Sequence, residues 1–372
     1  MRIFLLLFVG YIIFFLFEYI FRKQWKKHLS ISLNSRKDYL YEGEKIELEE
    51  EIKNQKFLPI PAIKIKFAVD RSWIDLENVN VNNVTDQYYR NDLLSVGSYE
   101  QIQRNLKFTC SKRGYYVLGD VDVFVSNFFF NREYVFRIKK EQWVYVFPRR
   151  CHSKELEFVY KNIIGEIYTR RNLLEDPFSF AGIRDYQSYD GMNKVNWKAS
   201  AKTGRLKVNR LESTTDISIH IVLYFQEHNG FWDSEIEEYL IRLAATMAES
   251  FLKDGIQVAL SSNGCDVETK MQVGVKHGAG EHHIESIDRG LARIDLSQGG
   301  SKIIDFTSIF EEEKDLVILL TDCQSENFME QLTKAVPREK SFFWILPYYR
   351  SNIIAIKEDL RKNVITICVE ES

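Results

Sequence analysis

The sequence predicts a membrane-anchored chain with two folded domains, the first all-β and the second α/β. Three observations carry this prediction. Residues 3–21 are almost uniformly apolar, residues 29–148 alternate apolar and polar side chains, and from residue 216 onward apolar runs of strand length alternate with amphipathic segments of helix length. A period of two is typical of a strand with one buried face, and apolar residues three and four apart are typical of a helix. At 372 residues the chain is long enough for two or more domains.

The apolar N-terminal stretch is predicted to be a transmembrane helix, with residues 1–28 as the anchor. Nineteen helical residues extend roughly 28 Å, close to the hydrocarbon thickness of a bilayer. A cleaved signal peptide is the alternative, but it would end in small residues, and this stretch does not. The stretch is followed by four basic residues: Arg22, Lys23, Lys26 and Lys27. Only Arg2 precedes it, so the positive-inside rule places the bulk of the chain in the cytoplasm, at the cell membrane.

Composition and charge exclude several classes of function. A net charge of −3 and a pI near 6.2 give no electrostatic reason to expect a nucleic-acid partner. The five cysteines are scattered and form no CxxC pair, which argues against a disulfide framework and a structural zinc site. The sequence contains no motif in which a catalytic nucleophile and its base have their typical spacing. We therefore expect no catalytic residue, no cofactor and no metal.

Residues 29–148 are predicted to form an antiparallel β-sandwich of immunoglobulin-like type. Ile46, Leu48 and Ile52 fall at the period of two, as do several later apolar runs. Pro59 and Pro61 help to break these runs into short strands. Short strands without a convincing amphipathic helix between them favour a sandwich.

Residues 216–372 are predicted to form a doubly wound α/β domain. Residues 217–225 are a continuous apolar run, typical of a strand buried on both faces. Ser234 and Glu237 form a capping box that opens a helix, which Gly255 closes. Further strands and helices alternate as far as residue 369. Such alternation implies right-handed crossovers and a mainly parallel sheet.

Between the two domains, residues 149–215 are predicted to be a linker that ends in a basic segment, residues 182–212. This segment carries seven basic and three acidic side chains, a net charge of +4. We predict that Trp197 packs against the α/β domain as a structural clasp, because a large amphipathic ring is typical of such anchors. We expect Lys194, Lys198 and Lys202 to keep their charged heads in water as a partner-binding surface.

The same segment resembles the signature of the "domain of unknown function 58" family, which reads Tyr-x-Pro-Gly-Asp, then Arg-x-Ile-x-Trp-x-x-x-Ala-Arg, then Gly-x-Leu-x-Val. The matching positions are Asp190, Trp197, Ala201, Gly204, Leu206 and Val208. The chain departs from the signature at Ser188 and Tyr189, which replace Pro-Gly, and at Lys202, which replaces the second arginine. Two weaker matches lie at residues 112–119 and 144–148.

The resemblance implies a β-sandwich followed by a von Willebrand factor A-like domain, with a MoxR-type AAA+ ATPase as the protein partner. The implied role is that of a membrane-anchored, non-enzymatic adaptor that assists the assembly or regulation of a protein complex. The residues expected to form the signature and partner surface are Arg184, Tyr186, Asp190, Lys194, Trp197, Lys198, Lys202, Gly204, Arg205 and Leu206.

A von Willebrand A-type domain typically holds a divalent metal on an Asp-x-Ser-x-Ser loop after its first strand, together with a Thr and an Asp from later loops. Here Gln226 and the next three residues stand in that place and lack the aspartate and both serines. Thr321 and Asp322 follow a later strand, and whether Asp322 contributes to a residual metal site stays open. Two other functions also stay open, a metal-dependent adhesion domain that faces outward and an enzyme with an unrecognised site.

Overall fold

A computed structural model describes twelve segments of the chain. They are residues 2–75, 82–84, 87–173, 175–187, 191–192, 195–213, 218–226, 234–300, 305–311, 315–337, 342–349 and 356–369. The chain divides into two compact units, Met1–Arg149 and Arg150–Ser372.

The first unit begins with a helix, α1 (Arg2–Gln24), and continues through its described residues as strands. The strands are β1 (Leu29–Ser35), β2 (Tyr39–Tyr41), β3 (Lys45–Asn54), β4 (Ile60–Asp70), β5 (Trp73–Asp75), β6 (Asn82–Val84), β7 (Gln87–Val96), β8 (Gln101–Cys110), β9 (Gly114–Leu118), β10 (Val121–Ser126), β11 (Glu133–Ile138) and β12 (Gln142–Phe147).

These strands form three sheets, with orders β1-β3-β8-β5, β11-β10-β4-β7-β6 and β2-β12-β9. Strand β3 alternates buried and half-exposed side chains, as a strand with one core-facing side does. Leu48 of β3, Ile65 of β4 and Val123 of β10 belong to one buried cluster. The core of this unit therefore lies between sheets.

The predicted fold class is wrong, because it made the N-terminal helix transmembrane. Among the described residues, no helix is both long and apolar enough to span a bilayer, and the described chain is mostly β-sheet. One stripe at the C-terminal end of α1 packs on the strands of its own unit. Phe21 is only 1% exposed, and Trp25 stacks on a tyrosine of β11. The predicted membrane span, and the cell-membrane location derived from it, therefore lose their support.

A buried lysine holds the C-terminal end of α1. Lys56 is 7% exposed, and its Nζ donates hydrogen bonds to the carbonyl oxygens of Trp25 and, at 3.1 Å, of Lys27. The last carbonyls of a helix have no partner within the helix, and a positive charge there also suits the helix dipole. Burial lowers the pKa of this ammonium from 10.5 to about 8. Lys56 therefore fixes where the helix ends against the sheets.

The second unit contains both helices and strands. They are α2 (Lys154–Leu173), β13 (Glu175–Asp185), α3 (Trp197–Thr203), β14 (Lys207–Ser213), β15 (Ser218–Leu223), α4 (Ser234–Lys253), β16 (Val258–Asp266), β17 (Gln272–Gly278), α5 (Glu281–Ala292), β18 (Ile294–Gly300), α6 (Phe306–Glu311), β19 (Asp315–Leu320), α7 (Glu326–Ala335), β20 (Phe342–Tyr349), α8 (Glu358–Arg361) and β21 (Val364–Val369).

Its main sheet has seven strands in the order β17-β16-β15-β19-β20-β21, with β18 paired to β16. Strands β16, β15, β19, β20 and β21 run parallel to one another, whereas β17 and β18 are antiparallel to β16. Ile219 and Ile221 of β15 belong to a core cluster with α4 and α5, and Val222 belongs to a second cluster with α6 and α7. The central strand is therefore buried on both faces.

Residues 149–215, assigned from the sequence to a linker, contribute part of this core. In α2, Leu156, Val159, Ile163 and Ile167 are spaced three and four apart and are all buried in the cluster with α4. This spacing places them on one face of the helix.

Arg150, the first residue of the unit, ties two of the core helices together. Its Nη1 and Nη2 donate to the two carboxylate oxygens of Asp288 on α5, at 2.9 and 2.6 Å, and its Nε donates to Glu249 on α4. Asp288 is 1% exposed. Burial raises the pKa of this carboxyl above its ordinary value, and the Arg150 guanidinium acts in the opposite direction.

Candidate partner-binding surface

The segment that carries the family-like signature forms a β-hairpin with a short helix inserted between its strands. Strands β13 and β14 pair antiparallel as a separate two-stranded sheet, with Asp185 opposite Lys207 and Ile183 opposite Asn209. Lys207 Nζ lies 2.7 Å from Asp185 Oδ1. This hydrogen bond lowers the pKa of the Asp185 carboxyl, so the pair stays charged at neutral pH.

The inserted helix α3 is capped at both ends. At its start, the side chain of Asn196 accepts a hydrogen bond from the amide of Ala199 at 2.9 Å, which satisfies one of the free N–H groups of the first turn. At its end, Gly204 has φ 66° and ψ 10° and donates its N–H to the carbonyl of Ser200. A left-handed residue in this position favours glycine, which has no Cβ. The two caps account for the stability of a helix only seven residues long.

Hydrogen bonds fasten α3 to the hairpin. The amide of Asn196 donates to the carbonyl of Lys207 at 2.8 Å, and the amide of Lys207 donates to Ser200 Oγ at 2.8 Å. Asn196 Nδ2 donates to Asn209 Oδ1 at 2.6 Å. Ser200 is buried, and beneath the helix Val208 is fully buried. The helix is therefore held in one orientation on the hairpin.

The outward side of this assembly is aromatic and basic. Trp197 is 63% exposed, and the prediction that it packs as a structural clasp is therefore wrong. Lys198, Lys202 and Arg205 are exposed, and Leu206 is 42% exposed. Since α3 spans only about 10 Å, these side chains emerge within a short distance of one another. We call Trp197, Lys198, Lys202, Arg205 and Leu206 the hairpin surface.

Two other signature residues lie beside the hairpin surface. Arg184 is exposed, and its Nη1 donates to the carbonyl of Asp185 at 3.2 Å. Tyr186 is half-buried, and its amide donates to the carbonyl of Leu206 at 3.0 Å. Tyr186 therefore extends the pairing of the hairpin strands, and Arg184 adds a further positive charge nearby.

The remaining predictions for this segment have mixed outcomes. Asp190 and Lys194 lie outside the described residues. Asn196 and Ser200, which hold the helix in place, were not predicted from the sequence. An asparagine just before a helical segment is a recognised capping signal and could have identified Asn196. Ile183, which is 47% exposed on β13, was also missed.

Aromatic rings and hydrogen-bonded polar groups lie at the carboxyl edge of the main sheet, where a von Willebrand A-type domain would hold its metal. The ring of Tyr224 lies 4.7 Å from that of Phe328. Asn263 pairs both its side-chain groups with the backbone of Phe225 at 2.7 and 2.8 Å, and Thr321 Oγ1 accepts a hydrogen bond from the amide of Cys323 at 3.0 Å. Among the residues that the structure describes, no three His, Cys, Asp or Glu side chains are grouped as metal ligands would be. Residues 227–229 of the predicted loop lie outside them.

One pair of residues has the spacing of a base and a nucleophile. His220 Nε2 and Ser261 Oγ lie 2.8 Å apart on the adjacent strands β15 and β16, and both side chains are half-buried. Both residues occupy mid-strand positions, where a cross-strand hydrogen bond stabilises the sheet. The contact links the two neighbouring strands within the sheet.

The chain matches no family model and no curated protein. Among solved structures, one that is similar is the CARDB domain of the PF1109 protein from Pyrococcus furiosus, determined in complex with di-metal ions. The similarity covers 30% of this chain and 85% of that chain, at 17% sequence identity and a TM-score of 0.19. At this TM-score the similarity does not bear on the function of this chain.

Proposed function

We propose that this protein is a non-enzymatic binding protein that presents the hairpin surface to an acidic partner protein. One observation carries the proposal: Trp197 is 63% exposed on a doubly capped helix, beside the exposed Lys198 and Lys202. Tryptophan and arginine are the residues most enriched among those that contribute most to binding at protein interfaces. Here the exposed tryptophan is joined by the exposed Leu206 and by basic side chains, a combination found in the core and rim of protein interfaces.

The positive charges define the chemistry of the partner. Lys198, Lys202 and Arg205 are exposed within eight residues of the tryptophan in the sequence, and the nearby acid Asp185 already pairs with Lys207. An acidic patch on the partner would complement this surface, and such complementarity mainly raises the association rate and specificity.

The caps of α3 and the hydrogen bonds that join it to the hairpin would let a small surface bind its partner with high affinity. Ordering a loop on binding costs free energy, and a helix that is already held in place avoids this cost. Asn196 and Ser200 provide this preorganisation here.

The resemblance to the "domain of unknown function 58" family points to a MoxR-type AAA+ ATPase as the partner. The function we propose is therefore that of an adaptor that assists the assembly or regulation of a protein complex by such an ATPase.

The test is a binding measurement between the full-length chain and a purified MoxR-type ATPase at two salt concentrations. The triple variant Lys198→Ser/Lys202→Ser/Arg205→Ser should bind at least tenfold more weakly at low salt, and the difference should shrink at high salt because exposed charges are screened. A matched control removes three exposed positive charges elsewhere in the unit, Lys253→Ser/Lys334→Ser/Lys362→Ser. Equal weakening by both triple variants, or no binding by the unmodified chain, would refute the proposal.

A further inference from the structure

The outward side of α1 is apolar and exposed. Among the side chains of α1 that the structure describes, Phe14 and Glu18 contact the turn between β10 and β11, and Phe21 packs on β11. The other sides carry exposed apolar residues, among them Leu7, Phe8, Tyr11, Ile12, Phe15 and Leu16. A contiguous apolar area of this size on a folded protein marks a binding surface.

A second apolar element lies beside the helix, in the turn between β10 and β11. Phe129 is 47% exposed and Phe130 is 68% exposed, and the ring of Phe129 lies 4.4 Å from that of Phe14. Phe130 has φ 52°, a left-handed conformation that is uncommon for a bulky residue. Strained backbone of this kind is concentrated at functional sites.

Polar contacts hold this turn against the helix. Asn127 Nδ2 donates to Glu18 Oε1 at 2.8 Å and to Asn131 Oδ1 at 2.5 Å, and Arg132 Nε lies 3.8 Å from Glu18 Oε2. The only acid of the helix is thereby paired on its inner side. Phe129 and Phe130 of the turn stay exposed next to the apolar side of α1.

A group of positive charges follows the apolar surface along the helix. Arg22, Lys23, Lys26 and Lys27 come 8–13 residues after Phe14 in the sequence. At 1.5 Å per helical residue the first of them lies about 12 Å along the axis from the Phe14–Phe129 contact. Arg22 therefore lies close to the apolar surface, where anionic headgroups around the inserted apolar side chains would meet its charge.

We infer that the outward side of α1 and the Phe129–Phe130 turn form one surface that binds a lipid surface with anionic headgroups. A protein groove covers one stripe of a helix, whereas the exposed apolar side chains described between Leu7 and Ile20 lie on several sides of α1. The basic residues at the end of α1 add attraction to anionic lipids. The contact needs no helix that crosses the bilayer, and it involves the first unit only, so it is independent of the hairpin surface.

The first experiment places an environment-sensitive NBD probe on the turn of the full-length chain. The probe is attached at Phe130→Cys, in a background in which the half-buried Cys151 and Cys368 are replaced by serine. Phe57→Cys is the matched control, because Phe57 is 79% exposed in a different turn of the same unit. On addition of phosphatidylcholine/phosphatidylserine vesicles, the emission at position 130 should shift to the blue and rise severalfold, and the emission at position 57 should not change. No shift at position 130, or equal shifts at both positions, would overturn the inference.

The second experiment measures flotation of the full-length chain with vesicles. The variant Phe129→Ser/Phe130→Ser should partition at least tenfold more weakly, because each phenylalanine loses its transfer from water to an apolar phase. Leu93→Ser/Val135→Ser is the control, since both residues are exposed on strands of the same unit. Equal partitioning of both double variants would contradict the role of the turn. Equal binding to vesicles with and without phosphatidylserine would contradict the role of the basic residues.

Discussion

Removing Arg150 should destabilise the second unit in a manner that depends on pH. The guanidinium makes two hydrogen bonds to Asp288, at 2.9 and 2.6 Å, and Asp288 is only 1% exposed. The substitution Arg150→Met keeps the length of the side chain but leaves the Asp288 carboxylate buried without its cation. Loss of one partner of a buried ion pair typically costs about 3–5 kcal/mol, and we expect a loss in this range at pH 7.5.

The sign of the pH dependence follows from the pKa of Asp288. Burial already raises it above 3.8, and the negative charges of Glu249 and Glu285 also act to raise it. Without Arg150, which lowers this pKa, it should rise further. An acid whose pKa is higher in the folded than in the unfolded chain loses its contribution to stability as pH rises through the folded pKa. The deficit of Arg150→Met should therefore be largest at pH 7.5 and shrink as the pH falls toward about 4.5.

The assay is urea unfolding of the full-length chain, with hydrogen exchange of peptides from α4 and α5 to assign the change to the second unit. Arg289→Met is the matched control, because Arg289 is a partly exposed arginine of α5 that pairs with Glu285. An exposed pair of this kind contributes about 0.5 kcal/mol or less. Adding Asp288→Asn to Arg150→Met should restore part of the loss. A loss below about 1 kcal/mol at pH 7.5, or a loss of equal size at both pH values, would refute the reasoning.

Three further predictions concern single side chains. Trp197→Ala should lower the free energy of unfolding by less than about 1 kcal/mol in urea melts, because the ring is 63% exposed; a loss of about 3–5 kcal/mol would show that the ring is packed. Asn196→Ala should cost about 1 kcal/mol in the same melts, because it removes the cap of α3, and Asn196→Asp should cost less. The pKa of Lys56 is lowered from 10.5 to about 8, so its contribution to stability is present above pH 10.5 and is lost as the pH falls through about 8. As the pH is raised from about 8 to 10.5, the free energy of unfolding of the unmodified chain should therefore increase. Lys56→Met should lack this increase in a pH series of melts.

Most local features of the structure, such as where helices begin and end, could be predicted from the sequence. The helix predicted to begin at Ser234 is α4 (Ser234–Lys253), and the apolar run after residue 216 contains β15, which is buried on both faces. Both signals depend on neighbouring residues, which the sequence displays directly. The same holds for Gly204, whose left-handed conformation ends α3.

The errors concern contacts between distant parts of the chain. The apolar pattern of residues 3–21 indicates a helix but does not reveal that its last turns pack on Phe128 and Tyr134, more than a hundred residues later. From the sequence, the ring of Trp197 could equally be buried or exposed. The outcome depends on which face of α3 lies against the hairpin, and the hydrogen bond from Asn196 to Asn209 helps to fix that face. Periodicity carries no information about either choice.

The position of Arg150 has a mechanical consequence. It is the first residue of the second unit, and its guanidinium donates hydrogen bonds to side chains of both α4 and α5. Tension applied along the polypeptide from residue 149 would therefore be borne by two core helices at once, and the ion pairs on both would have to shear together. Tension applied at the far end of the chain would act on β21, which lies at the end of the strand order of the main sheet. A strand in that position can be peeled away one hydrogen bond at a time, so this unit should resist a pull from its N-terminal side with much greater force than a pull from its C-terminal side.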